Sequence, residues 1–154
     1  MTKKSNRASG PTEVSLPAAI VIHGLAHAAA ALAAAAELGV KVTLLSAPGA
    51  AGYVGPGWFR AVIEQARAVY PDADVTAVLD CGDMPGHALA ALRDGVAAIR
   101  FSGDTADKIA DIAAQYGALV IAERPEALDL AEVERSRRDL GRACREWLET
   151  HGHG

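Results

Sequence analysis

Short apolar runs alternate along this chain with segments whose apolar positions recur every three or four residues. The runs are Ala18 to Ile22, Val40 to Leu45, Val75 to Leu79, Val96 to Phe101 and Ala118 to Ala122. They are rich in β-branched residues and too apolar to face water, which predicts five strands buried on both faces. Between them, Leu25 to Leu38 is dominated by alanine, which loses no side-chain entropy in a helix, and Gly39 supplies the stop. From Trp58 to Tyr70, residues Phe59, Val62, Ile63, Ala66, Val69 and Tyr70 repeat as one helical face.

Pro85 suits the first turn of a short helix through Leu92, closed by Asp94-Gly95. Asp104 or Thr105 can cap the next helix, whose stripe is Ile109, Ile112, Ala113 and Tyr116 before Gly117. Asp129 to Thr150 reads as one long amphipathic helix, with Leu130, Val133, Leu140, Cys144, Trp147 and Leu148 on its apolar side. Gly141 inside it marks an expected close approach to a neighbour.

Strand followed by helix, five times over, predicts an α/β fold. The expectation is a three-layer, five-stranded, mostly parallel sheet in the flavodoxin-like order 2-1-3-4-5. Half of a β/α barrel is the alternative, because the helix after the third strand is short. The domain is expected over residues 17–150, after a disordered polar tail at 1–16 and before a frayed end at 151–154.

Composition narrows the function classes. At 154 residues the chain can bury a real core, and with 51% hydrophobic but only 5% aromatic residues that core is aliphatic. A formal net charge of −4 argues against a nucleic-acid surface. The most apolar stretch, Leu25 to Leu45, is interrupted by His27, Glu37, Gly39 and Lys41, so no membrane span is expected. Two cysteines without a pairing or metal spacing suit a reduced, cytoplasmic chain.

In a doubly wound sheet, ligands gather beyond the carboxyl ends of the strands. Here those ends read His23-Gly24, Ser46-Ala47-Pro48-Gly49, Asp80-Cys81-Gly82-Asp83, Phe101-Ser102-Gly103-Asp104 and Glu123-Arg124. The second leads into SAPGAAGYVGPGWF, a loop spaced GxxGxxGxG that is neither a Walker A element nor a dinucleotide fingerprint. Its end can still offer backbone N–H groups to an anion where a helix begins at Gly57 and Trp58, although Pro56 removes one donor. The contrary reading packs Tyr53 and Trp58 against the protein or a partner subunit.

The site expected from these residues takes a small, anionic metabolite. Ser46, Gly49, Gly55, Gly57, Trp58, Ser102, Glu123 and Arg124 are its binding candidates. Imidazole titrates near neutrality, so His23 is the candidate general acid or base, with Asp80 to orient it. His23 and His27, four apart, share a helical face if the helix begins early enough, but two histidines do not define a metal centre. No metal and no cofactor is assigned.

Cys81 is the candidate nucleophile, although Asp80 and Asp83 disfavour its thiolate unless the helix at Pro85, or His87, offsets them. The order of elements and the Cys81-Gly82 pair closing the third strand are loosely similar to the DsrE-type sulfur-relay fold. That resemblance implies thiol or sulfur transfer at Cys81, while the flanking aspartates depart from it. The segment AALRDGVAAIRF is similar in cadence to aldolase-like β/α proteins, but neither Lys41 nor Lys108 stands at a strand's carboxyl end to form their Schiff base. A structural or assembly subunit, docking through Tyr53, Trp58 and the last helix as a homo-oligomer, is the remaining alternative.

Overall fold

A computed structural model describes residues 15–152; most of the expected polar tail and the last two residues lie outside them. The chain runs β1 (Ala19–Val21), α1 (Leu25–Leu38), β2 (Val42–Leu45), a 3-10 turn (Ala50–Gly52), α2 (Pro56–Val69), β3 (Val75–Asp80) and α3 (Pro85–Arg93). It continues with β4 (Ala98–Arg100), α4 (Ala106–Gln115), β5 (Leu119–Ile121), β6 (Ala127–Asp129), α5 (Leu130–Arg135) and α6 (Leu140–His151). The fold is α/β with a parallel sheet.

The sheet has six strands in the order β5-β4-β3-β2-β1-β6, and every neighbouring pair is parallel. This corrects the expected order 2-1-3-4-5 and the expected five strands. From β1 to β5 each strand pairs with the next in sequence, as in the winding of a β/α barrel, so right-handed crossovers carry the helices to one face. Three layers become two.

The two faces of the sheet are buried in different ways. Ile20, Leu44, Leu79, Ile99 and Val120 alternate onto the helix side, where they join the buried side chains of α1, α2, α3, α4 and α6. On the other face Val21, Leu45, Val78, Ala98 and Ile121 form a second cluster that contains no helical residue. They are nonetheless almost wholly removed from water, Leu45 and Val78 completely. Leu16, ahead of β1, packs against this cluster together with Leu119 and Ala127 of the two edge strands. The two edge strands, β5 and β6, are not paired to each other in the strand order.

Alanine explains the crowding around α1. Ala28, Ala31, Ala34 and Ala35 are buried there, and small side chains let the helix lie tightly against its surroundings. The long C-terminal helix expected from Asp129 is in fact two helices. Arg137 adopts a left-handed φ of 57° between them, and Asp139 recaps the chain by accepting the Arg142 N–H at 2.8 Å. Gly141 makes no tight approach; the nearest atoms to a Cβ there would be side-chain atoms 3.5 Å away. His151 still belongs to α6 and stacks on Trp147, their ring centroids 3.6 Å apart.

Candidate functional site

Because all strands run the same way, their carboxyl ends open on one rim, and alternation decides which residues face its inside. Asp80 pairs in register with Arg100 on β4, and both follow Val78 and Ala98, on the helix-free face, by two. Asp80 has no exposed side-chain surface and organises one half of the rim. Its Oδ1 accepts the N–H of Gly49 at 3.0 Å and of Gly82 at 2.8 Å. Its Oδ2 accepts from Arg124 Nη1 at 2.7 Å, and Arg100 Nη1 lies 3.4 Å from both oxygens.

Gly49 and Gly82 have φ of 67° and 60°, left-handed conformations that favour glycine. Both loops therefore turn a backbone N–H inward onto one carboxylate. Ser46 completes the arrangement: its hydroxyl accepts the Asp80 N–H at 2.8 Å, and its carbonyl accepts from Arg124 Nη1 at 3.1 Å. Arg100 Nε is held by the Ala122 carbonyl at 2.9 Å. An isolated buried carboxylate is strongly unfavourable, but here it has two cations and two N–H donors. Two arginines against one carboxylate leave a surplus positive charge. Their side chains are 19% and 24% exposed, at Arg100 and Arg124 respectively.

The other half of the rim belongs to β1 and β6. His23 Nε2 lies 2.8 Å from Asp129 Oδ1, which also accepts the Ala131 N–H at 2.9 Å to cap α5. The His23 N–H donates to His27 Nδ1 at 3.0 Å, and the two rings meet edge to face with centroids 5.6 Å apart. His27 Nε2 in turn lies 2.9 Å from Glu134 Oε1. His27 is thus a buried tether between the β1–α1 turn and α5. Asp80, the expected orienter of His23, is instead engaged by arginines and glycines, and the carboxylate beside His23 is that of Asp129, brought there by β6, which was unrecognised in the sequence.

The remaining candidates divide. Ser46, Gly49, Asp80 and Arg124 converge, yet the Gly49 N–H and Ser46 hydroxyl are spent inside the protein. Gly55 adopts φ 85° ahead of α2, and the first-turn N–H groups of Gly57 and Trp58 have no acceptor within their helix. Ser102 and Glu123 are exposed, and no hydrogen bond of their side chains joins them to the Asp80 cluster. His87 packs on Gly52, where an added Cβ would come within 2.5 Å of the imidazole, so it serves the glycine loop. Arg100 and Asp129 were missed. Arg100 was legible as the lone charge in an apolar run, but Asp129 looked like the beginning of a helix.

Cys81 lies on the helix side of the sheet and is fully buried. Burial, reinforced by the Asp80 charge, pushes its thiol from 9.0 up to about 12. This removes the basis for a nucleophilic role: the thiol and the Asp80 carboxylate leave β3 on opposite faces. Among the described residues no group of three or more His, Cys, Asp or Glu side chains is placed to hold a metal ion. No helix among them is long and apolar enough to cross a membrane.

A groove of about 260 Å³ lies away from this rim, between α2 and the start of β4, over Phe59, Ile63 and Val96. Its arginines are already partnered: Arg60 with Asp94 and Glu64, Arg67 with the Val75 carbonyl. We place the candidate site at the rim rather than in this groove, because charge and uncommitted donors gather at the rim. Comparison with protein-family models and with curated proteins returns no match.

Proposed function

We propose that the carboxyl rim binds a small anionic metabolite, anchored by Arg100 and Arg124. The supporting observation is the charge imbalance around Asp80, where one buried carboxylate faces two partly exposed guanidiniums. Each guanidinium carries five N–H donors, and the bonds to Asp80, Ser46 and Ala122 use only some of them. A carboxylate or phosphate suits such forked donors better than a neutral ligand does. The first-turn N–H groups at Gly57 and Trp58, with Ser102 and Glu123, are the further contacts of this reading.

The test is thermal unfolding with inorganic phosphate and short mono- and dicarboxylates. Anions are expected to raise the Tm of the wild type, and to raise it less in Arg124→Lys, which keeps the charge but loses the fork. An unchanged Tm with every anion refutes the proposal.

Exposed apolar side chains favour a second reading, an assembly role. Tyr53 is 67% and Trp58 37% exposed, and Leu25 at the start of α1 and Met84 ahead of α3 are exposed as well. The apolar side of α6 does not contribute, since Cys144 and Leu148 are fully buried. On this reading the protein forms a homo-oligomer that Trp58→Ala dissociates in light scattering.

A further inference from the structure

We infer that His23 and Asp129 form a proton-transfer couple serving the anion held by Arg100 and Arg124, with Asp129 as the positioning residue. The inference rests on the anion-binding reading and adds chemistry to it. Three features separate this pair from an ordinary surface contact. First, both partners are fixed: the Asp129 carboxylate is held by the Ala131 N–H, and the His23 backbone by His27 Nδ1. Second, a carboxylate beside Nε2 keeps the proton on that nitrogen, so Nδ1 carries the lone pair and acts as base. Nδ1 has no partner among the described hydrogen bonds, and the side chain is 33% exposed. Third, the pair is on the same rim as the arginines. β1 and β3 flank β2, which puts His23 about 10 Å from Asp80 at ordinary strand spacing. That gap suits a molecule of a few carbons with its anionic end on the guanidiniums.

The step this permits is a proton transfer. An O–H or C–H bond of the ligand breaks, its electron pair stays on the ligand, and the proton bonds to Nδ1. Nε2–H remains in its bond to Asp129, whose charge offsets the imidazolium. Returning that proton to a different atom of the ligand completes an isomerisation with no further reactant. Asp129 acts only through His23, as the third member of a base–orienter arrangement does. The titratable groups packed around the pair are His27 and Glu134: His27 accepts the His23 N–H at Nδ1, and its Nε2 faces the Glu134 carboxylate.

The experiment follows acylation of His23 by diethyl pyrocarbonate, mapped by mass spectrometry to separate it from the other histidines. Glycerol 3-phosphate and inorganic phosphate serve as probes, with their binding measured by calorimetry. Asp129→Asn keeps an oxygen for both the cap and the imidazole while removing the charge. Followed at alkaline pH, His23 acylation is expected to slow roughly threefold in that variant, because the positive charge that attack by Nδ1 builds on the ring is no longer offset by a carboxylate at Nε2, while the folding midpoint stays put. Glycerol 3-phosphate at about ten times its Kd is expected to slow wild-type acylation roughly tenfold, as occupancy requires. If glycerol 3-phosphate binds but leaves the His23 rate unchanged, or if Asp129→Asn reacts like the wild type, the couple is overturned and the anion site stands. If neither anion binds, the anion-binding reading itself has failed.

Discussion

The rim carries two polar clusters that use the same chemistry, an acid beside a base, to opposite ends. Around Asp80 every acceptor is filled, the carboxylate is sealed from water, and the loops after β2 and β3 are clamped by their glycine N–H groups. Around His23 the carboxylate is 37% exposed and the imidazole retains an unengaged nitrogen. The difference comes from burial. A charge without solvent must be satisfied by the protein itself, which makes Asp80 structural and leaves its arginines as the outward-facing groups. A charge that keeps its water contributes little to stability and stays available for a ligand.

The largest test of this contrast is Asp80→Ala. It removes the shared partner of two arginines and two N–H groups, and we expect a loss of about 3–5 kcal/mol in urea unfolding. A loss below about 1 kcal/mol, the range of exposed pairs, would erase the distinction between the clusters. Ser46→Ala leaves the buried Asp80 N–H without its acceptor and is expected to cost about 1–3 kcal/mol by the same measurement.

Smaller effects sharpen the comparison. Cys81, on the opposite face of β3 from the Asp80 carboxylate, is raised to about 12 in the folded protein, and Cys144 likewise. Below pH 9.0 both states keep these protons; above it the unfolded chain loses them first, so stability falls as pH rises from 9.0 towards 12. Cys81→Ala should flatten part of that decline in an alkaline unfolding series, and iodoacetamide should reach Cys81 only after unfolding. The smallest effect belongs to the other cluster: His23→Ala is expected to change stability by less than about 1 kcal/mol, the scale of an exposed ion pair. A loss as large as that of Asp80→Ala would make His23 structural.

Much of the molecule was legible in its residues because local physics decides it. Alanine content with Gly39 delimited α1, the three-to-four-residue rhythm marked α2, and apolar runs located β1 to β5. The parallel direction followed from the alternation of strand and helix, and it put Ser46, Asp80 and Arg124 at one rim. Strand order was not legible. Sequential and doubly wound sheets need the same short apolar strands, and only the pairing of β2 with both β1 and β3 distinguishes them. β6 escaped notice because three residues, Ala-Leu-Asp, carry too little periodicity to read. Its consequence, Asp129 beside His23, joins positions 106 residues apart.

What the chain determined by itself is most of the inventory: the segments that form β1 to β5 and α1 to α4, and the polar residues that end them. Propensity and amphipathicity act within a few residues, so these needed no knowledge of the whole. Only the tertiary structure decided the partnerships. It gave Asp80 to the arginines and Asp129 to His23, and it turned Cys81 away from both, because a pleated strand sends alternate side chains to opposite faces of the sheet.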